Sequence, residues 1–182
     1  MEWLDLGVCR ALWHEGGERT AVVLPGASGG AFQAPVFYLS LALQDVGFSV
    51  LTVHDEFDGE ERTLVNAEAA FARREPALLA AKSRGSRAAA LRPELPAIWL
   101  TPLLDHLGVV ASLRARTGPQ LLVGGSVDPT WRPEVARRLP GELLLLDGAD
   151  HRLGVEGDAV ASIAMLQRAI ERARDFAAKL CS

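Results

Sequence analysis

Three polar residues follow apolar, strand-like segments, and their types are those that nucleophilic catalysis requires. Ser83 follows residues 77–81, Asp128 follows residues 120–123, and His151 follows residues 142–146. A serine hydroxyl is a weak nucleophile at neutral pH, so an imidazole must accept its proton. A buried carboxylate then fixes the tautomer of the imidazole and stabilises its protonated form. The residue types and their order therefore predict acyl transfer with Ser83 as nucleophile, His151 as base and Asp128 as orienting acid.

The surroundings of Ser83 predict a sharp turn between a strand and a helix. The sequence Ala81-Lys82-Ser83-Arg84-Gly85 joins an apolar segment to an alanine-rich segment, residues 84–91, which has helical composition. Such a turn raises a nucleophilic hydroxyl above a sheet, usually with the pattern Gly-x-Ser-x-Gly. Here Ala81 stands where the first glycine is expected.

Acyl transfer through a serine also requires donors for the oxyanion that develops on the substrate. One donor is expected to be the backbone N–H of Arg84, which directly follows the nucleophile. The second is expected in the loop after the strand at residues 20–24, where Ala27 follows Pro25 and Gly26. Small residues at this point allow the backbone to approach a substrate closely.

Apolar segments alternate with helical segments from residue 20 to the end of the chain. Strands are predicted at residues 20–24, 48–53, 77–81, 97–101, 120–123 and 142–146, and helices at 35–46, 61–74, 84–91, 104–116, 133–139 and 158–180. Short, continuous apolar strands are typical of a sheet that is covered on both faces. Residues 3–8 and 10–13 are predicted to form an antiparallel pair at its edge. We therefore expect one α/β domain, residues 1–182, built as a three-layer α/β/α sandwich around a mostly parallel sheet.

Composition excludes several classes of partner. The 182 residues carry a net charge of −4 without a basic stripe, which argues against nucleic acid and anionic membranes. Cys9 and Cys181 form neither a disulfide framework nor a zinc-binding spacing. We therefore expect a protein of the reducing cytoplasm that binds no metal and no cofactor. The N-terminus does not resemble a signal peptide, and no apolar segment approaches the roughly 18 residues that span a bilayer. The expected partner is a small-molecule substrate, and a homodimer through an edge strand or the last helix is an open alternative.

Three motifs resemble one family of enzymes. Residues 82–87, Lys-Ser-Arg-Gly-Ser-Arg, are similar to the Lys-Ser-x-Gly-x-Arg elbow of small α/β-hydrolase proteins without a lid, often called dienelactone-hydrolase-like. The Gly-x-x-Asp-Pro segment around Asp128 and the Gly-x-x-His segment around His151 are also similar to that family. The chain departs from it at Ala81, at Ser86 in place of a second glycine, and at Pro25, where many relatives have histidine. The resemblance implies a minimal α/β-hydrolase fold and a serine hydrolase that acts on a small ester, thioester or lactone.

Other residues could take the roles of the acid or the base. Asp105 follows the strand predicted at residues 97–101 and is the main alternative acid. Asp147 and Asp150 are further alternatives, but they lie on the same exit loop as His151. His14 and His106 are expected at the surface.

The residues that shape a substrate pocket are open to more than one interpretation. Lys82 and Arg84 are either solvated charges, with a structural ion pair as a further alternative for Lys82, or they supply positive potential beside the nucleophile. Phe32 and Trp131 either pack in the core or form the wall of an apolar acyl pocket. His54 follows a strand and is a further candidate for the lining of the cleft.

Two other functions are compatible with parts of the sequence. Residues 22–32 resemble a dinucleotide-binding loop, with Asp55 as the acid that would bind a ribose. Phe32, however, occupies the place of the third glycine, and Pro35 would interrupt the helix that such a loop requires. The second alternative is a catalytically silent protein that uses the fold for binding, since a fold alone does not determine a function.

Overall fold

An eight-stranded sheet lies at the centre of the computed structural model, which describes residues 1–27, 30–54 and 62–181. The strands are β1 (Glu2–Asp5), β2 (Arg10–His14), β3 (Arg19–Leu24), β4 (Phe48–His54), β5 (Leu78–Lys82), β6 (Ala97–Leu100), β7 (Gln120–Gly125) and β8 (Glu142–Leu146). The α-helices are α1 (Ala34–Asp45), α2 (Arg62–Arg73), α3 (Leu107–Ala115), α4 (Pro133–Ala136) and α5 (Ala159–Lys179). A 3-10 helix, Ser83–Ala90, follows β5 directly.

The strands are arranged in the order β1-β2-β4-β3-β5-β6-β7-β8. The first two strands form an antiparallel pair, and β2 also pairs antiparallel with β4. All pairings from β4 to β8 are parallel. The predicted sheet, mostly parallel with an antiparallel pair at one edge, is therefore confirmed.

Successive side chains of each central strand point to opposite faces, and both faces are covered. In β3, Val22 and Leu24 pack toward α2, the 3-10 helix and α3, whereas Ala21 and Val23 pack toward α1 and α5. Burial on both faces explains why these strands are continuous apolar segments rather than alternating ones. The predicted three-layer sandwich is confirmed.

The path of the chain brings several strand ends to one place. From β3 the chain passes to β4 on one side, and then returns to β5 on the other side of β3. Open α/β sheets bind ligands beyond the carboxyl ends of their strands at such a change of direction. The loops that follow β3 and β5 are therefore the expected borders of a site.

Two local predictions were wrong. The helix predicted from residue 104 begins at Leu107, because the side chain of His106 caps it by accepting a hydrogen bond from the N–H of Val109 at 3.3 Å. His14 is buried rather than at the surface, since β2 is not the edge strand and is covered on both sides by β1 and β4. Burial lowers the pKa of His14. Among the described helices, none is long and apolar enough to cross a membrane.

Candidate active site

Ser83 occupies a strained turn between β5 and the 3-10 helix. Its φ is 49°, a left-handed conformation that L-residues rarely adopt. Gly85 makes the turn sterically possible, because a Cβ at this position would lie 2.9 Å from the carbonyl oxygen of Leu24 and 3.1 Å from the Cβ of Ala81. The sequence signal of Ser-x-Gly therefore has a direct structural cause.

The two departures from the usual elbow pattern are accommodated locally. The methyl group of Ala81 is fully buried, and the absence of a side chain at Gly85 leaves space for it. The hydroxyl of Ser86 donates to the carbonyl oxygen of Ser83 at 2.6 Å and accepts the N–H of Leu103 at 3.3 Å. Ser86 thus ties the turn at Ser83 to the loop that follows β6, a role that the sequence did not predict.

Ser83, His151 and Asp128 lie within hydrogen-bonding distance of one another in series. The Nε2 of His151 lies 2.7 Å from the Oγ of Ser83, and its Nδ1 lies 2.9 Å from the Oδ2 of Asp128. An ionised carboxylate only accepts hydrogen bonds, so Nδ1 must carry a proton and donate it. In the neutral imidazole Nε2 is then an acceptor, and the hydroxyl of Ser83 donates to it. This arrangement is the one in which the imidazole is ready to take the proton of the hydroxyl.

Asp128 is held by donors from its own turn as well as by His151. The N–H and the hydroxyl of Thr130 both donate to its Oδ1 at 2.8 Å. Burial by itself would raise the pKa of Asp128, but the hydrogen bonds from His151 and Thr130 outweigh it and lower that pKa below its ordinary value. The carboxylate therefore stays ionised beside the imidazole at neutral pH. The sequence did not single out Thr130 as a functional residue. An aspartate whose side chain accepts the N–H two residues later forms a common type of turn, which could have indicated its role.

The alternative acids lie elsewhere or serve the backbone. Asp105 is exposed after β6, and Asp147 accepts a hydrogen bond from the hydroxyl of Ser126 at 2.9 Å. Asp150 accepts the N–H groups of Arg152 and Gly154 at 2.8 and 2.9 Å, which shapes the loop that carries His151. Of the four carboxylates weighed from the sequence, the structure brings Asp128 to the imidazole.

Lys82 is buried beneath the site instead of pointing to solvent. Its Nζ donates to the carbonyl oxygen of His151 at 3.1 Å and to the Oγ1 of Thr101 at 3.4 Å. Burial lowers the pKa of this ammonium to about 8. Lys82 therefore links the end of β5 to the loop that positions the imidazole.

Several non-glycine residues around the site have a left-handed backbone conformation. Ser83, Thr101 and Leu153 have φ values of 49°, 44° and 64° and are the non-glycine residues with positive φ in the described part of the chain. Each follows the carboxyl end of a parallel strand. Such conformations persist where the surrounding structure enforces them, and they are concentrated at functional sites.

A cleft of about 440 Å³ opens above Ser83. Its lining consists of Gly26, Ala27, Gln33, Ala34, Pro35, Lys82, Ser83, His151 and Arg152. Gly26 approaches Ser83 so closely that a Cβ on Gly26 would lie 3.3 Å from the Cβ of Ser83. Ala27 is thus in the cleft, as a second oxyanion donor would have to be. The N–H of Arg84 belongs to the first turn of the 3-10 helix, directly after Ser83.

Phe32 and Trp131, for which the sequence left both core packing and the wall of an acyl pocket open, do not line this cleft. Phe32 is 55% exposed and contacts the rings of Trp3, Phe37 and His54. Trp131 is buried in the core, where its ring lies against Gly124 so closely that a Cβ there would clash. The position of Trp131 after Asp128 did not reveal that the ring points into the sandwich.

The loop after β3 does not have the context of a dinucleotide site. The helix α1 begins only at Ala34, well beyond the end of β3, with Pro35 in its first turn. A dinucleotide-binding loop opens its helix directly. Ser28, Gly29 and the candidate ribose acid Asp55 lie outside the described residues. Within the described ranges, no group of three or more potential metal ligands occurs.

Comparisons with solved structures show which fold this is. An α/β serine hydrolase homologue from Coxiella burnetii has a TM-score of 0.73 and 16% identity, with 94% of this chain and 95% of that chain covered. Est1E from Butyrivibrio proteoclasticus has a TM-score of 0.75 and 14% identity, with 99% and 98% covered. A monoacylglycerol lipase from Paleococcus ferrophilus has a TM-score of 0.67 and 15% identity, with 97% and 100% covered. No protein-family model and no curated protein sequence matches the chain. The likeness over the whole length, together with the strained serine turn at the switch in strand direction, identifies the chain as a protein of the α/β-hydrolase fold.

Proposed function

We propose that the protein is a serine hydrolase that cleaves a small ester, thioester or lactone through an acyl-enzyme. The observation that carries this proposal is the continuous series of hydrogen bonds from Asp128 through His151 to Ser83. A serine that merely caps a helix does not need an imidazole at 2.7 Å that is itself oriented by a buried carboxylate.

The first half of the reaction forms the acyl-enzyme. The Oγ of Ser83 attacks the carbonyl carbon of the substrate while its proton passes to the Nε2 of His151. The electron pair of the carbonyl moves onto oxygen, where the N–H groups of Arg84 and Ala27 stabilise the negative charge. When the tetrahedral intermediate collapses, the bond to the leaving group breaks and His151 returns its proton to that group. Asp128 stabilises the imidazolium during these steps.

The second half repeats the same steps with water as the nucleophile. His151 accepts a proton from water, the hydroxide adds to the acyl carbon, and the oxyanion forms at the same donors. The bond to the Oγ of Ser83 then breaks, and the proton on His151 restores the serine hydroxyl. The net reaction consumes one ester and one water and yields one acid and one alcohol.

The size of the cleft favours small acyl groups. A volume of about 440 Å³ lies in the lower part of the range of roughly 300–1,000 Å³ in which small-molecule sites are found. Ala27 and Ser83 line it together, and Arg84 directly follows Ser83 in the chain, so the carbonyl group must enter this cleft.

Covalent labelling with a fluorophosphonate tests the proposal, because the reagent reacts with an activated serine hydroxyl. We expect one label on Ser83 in the wild type and none in Ser83→Ala. The control is Ser112→Ala, which removes a half-buried hydroxyl on α3 that donates to the carbonyl oxygen of Gly108, and it is expected to label like the wild type. Mass spectrometry of the labelled peptide gives the position.

A second variant assigns the base. His151→Ala should suppress labelling while the far-UV circular dichroism stays unchanged. Normal labelling of His151→Ala would show that His151 is not the base. A folded wild type that takes no label would contradict the hydrolase proposal and favour a protein that uses the fold for binding.

A further inference from the structure

A second, larger cavity adjoins the cleft at Ser83. This groove has a volume of about 750 Å³ and shares Ala34, Pro35 and Arg152 with the cleft. The two spaces are therefore neighbours across the start of α1 and the residue that follows His151. A substrate whose carbonyl group lies at Ser83 can extend directly into the groove.

Seven of the thirteen residues that line the groove are apolar, and three, Asp150, Arg152 and Glu156, are charged. The lining comes from four parts of the chain, one of which is the start of α1. The loop after β7 contributes Val127, and the first turns of α5 contribute Ile163 and Leu166. Leu153 and Val155 come from the loop after β8. Ile163 is 67% exposed and Val127 is 60% exposed. Exposed apolar side chains that line one concave surface are typical of a site for an apolar ligand.

The loop that forms one wall is fixed by hydrogen bonds rather than by a ligand. Ser162 on α5 accepts the N–H of Val155 at 2.8 Å and donates to the carbonyl oxygen of Asp158 at 2.7 Å. Asp150 accepts the N–H of Gly154 at 2.9 Å, and its own N–H donates to the carbonyl oxygen of that glycine at 2.8 Å. The groove is therefore preformed, which lowers the entropic cost of binding.

The position of the groove relative to His151 indicates which part of a substrate the groove holds. Residues on both sides of His151, namely Asp150 and Arg152, line it, whereas Gly26 and Ala27 on the oxyanion side line only the cleft. His151 must deliver its proton to the departing oxygen or sulfur, so the leaving group lies on the imidazole side of the scissile carbon. On that side the groove adjoins the cleft at Arg152, and it also adjoins the cleft at Ala34 and Pro35.

We propose that this groove binds the alcohol portion of the substrate, and that the preferred substrate joins a short acid to an aliphatic alcohol of several carbons. The inference rests on the proposed function. Each methylene group that enters the groove removes apolar surface from water, so kcat/KM should rise by up to about fourfold per methylene until the groove is filled. Extension of the acid should bring no comparable gain, because the smaller cleft holds the acyl group.

Two ester series of equal total length separate these possibilities. One series joins acetate to alcohols from ethanol to octanol, and the other joins ethanol to acids from acetate to octanoate, with release of acid followed by pH-stat titration. We expect kcat/KM to rise along the alcohol series and to stay flat or fall along the acid series. A rise that follows the acid instead would overturn the assignment of the groove.

A pair of variants on α5 tests the location. Ile163→Asp places a charge in the groove, and Val160→Asp places the same charge on an exposed residue of α5, 79% exposed, that does not line the groove. We expect the ratio of kcat/KM for octyl acetate to that for ethyl acetate to fall about tenfold in Ile163→Asp and to stay unchanged in Val160→Asp. Equal behaviour of the two variants would contradict the proposal.

The labelling and hydrolysis experiments distinguish an incorrect assignment of the groove from an incorrect proposed function. A wild type that labels at Ser83 and hydrolyses ethyl acetate without dependence on alcohol length refutes the groove alone. A wild type that neither labels nor hydrolyses any member of either series refutes the proposed function and the groove with it.

Discussion

Two strand ends bury an ionisable side chain beside His151, and they do so with different consequences. Asp128, beyond the end of β7, is 4% exposed, and Lys82, the last residue of β5, is 7% exposed. Asp128 receives donors from His151 and Thr130, and its pKa is lowered, which favours the charged form. Burial dominates at Lys82 and lowers its pKa to about 8, which favours the neutral form.

The difference lies in the partners that each side chain finds. The carboxylate of Asp128 accepts hydrogen bonds from a backbone N–H, a hydroxyl and an imidazole, all of which stabilise negative charge. The acceptors of the Lys82 ammonium are neutral oxygens, one of them the carbonyl of His151. The carboxylate of Asp128, whose charge the proposed chemistry needs, therefore stays ionised although it is buried. The ammonium of Lys82, by contrast, loses its proton only slightly above neutral pH because its pKa is about 8. In the proposed mechanism Asp128 stabilises the imidazolium, whereas Lys82 contacts the loop that carries His151.

The largest expected effect comes from neutralising Asp128. An amide at this position can donate to Nδ1, which selects the wrong tautomer of His151, so Asp128→Asn should lower kcat by about 10³–10⁴-fold. The matched control is Asp105→Asn at the exit of β6, which should leave ester hydrolysis unchanged. A large loss of activity in Asp105→Asn with little loss in Asp128→Asn would reverse the assignment of the acid.

The next effect concerns the pH dependence of stability at Lys82. Below about pH 8 both the folded protein and the unfolded chain hold the proton, and the folded state bears the full cost of the buried charge. Between about pH 8 and 10.5 the folded protein has lost this proton and the unfolded chain still binds it, so the free energy of unfolding rises with pH. Relative to Lys82→Met, the wild type should gain about 3 kcal/mol between pH 7 and pH 10.5.

Urea denaturation of both proteins at the two pH values measures this gain. Other groups titrate equally in the wild type and in Lys82→Met, so they cancel in the difference. A difference in unfolding free energy that does not change with pH would mean that Lys82 has an ordinary pKa in the folded protein.

A smaller effect is expected when only one donor to Asp128 is removed. Thr130→Val keeps the shape of the side chain and the backbone N–H but removes the hydroxyl that donates to the carboxylate. Hydrogen bonds to charged groups contribute about 1.5–3 kcal/mol, so the rate of fluorophosphonate labelling should fall about tenfold or more. Thr130→Ser retains the hydroxyl and should label close to the wild-type rate. Equal rates in Thr130→Val and the wild type would show that the hydroxyl of Thr130 does not contribute to the function of Asp128.

The smallest expected effect is at Ala81, one residue before Lys82. Ala81→Gly restores the common elbow pattern, yet the hydroxyl of Ser83 already lies 2.7 Å from the imidazole with the methyl group present. Activity should therefore change by less than about twofold, while glycine in a strand lowers the free energy of unfolding by roughly 0.5–1 kcal/mol. A large gain in activity would show that the methyl group distorts the turn.

The fold and the meeting of Ser83, Asp128 and His151 could be predicted because they depend on local patterns and general rules. Apolar segments separated by helical periodicity predict parallel strands, and the carboxyl ends of such strands meet on one edge of the sheet. The turn at Ser83 was predictable because Gly85 follows it at a spacing that sterics require.

Other features depend on tertiary packing that the sequence does not encode locally. The sequence allows the ring of Trp131 to point either to the cleft or to the core. In the structure it packs in the core, because Gly124 has no side chain and leaves space for the ring. The contact of Lys82 with the carbonyl oxygen of His151 joins residues that are far apart in the sequence. The groove near Ile163 forms only when four separate segments come together, so no single sequence motif predicts it.

The left-handed backbone at Ser83, Thr101 and Leu153 has a consequence for heat inactivation. Each such residue costs roughly 1–3 kcal/mol, which the packed sheet beneath must offset. We infer that this strain lowers the free energy needed to open the three turns locally. We expect the protein to lose the ability to label Ser83 on warming before its circular dichroism changes, so its working range is set by three turns and not by the melting of its core.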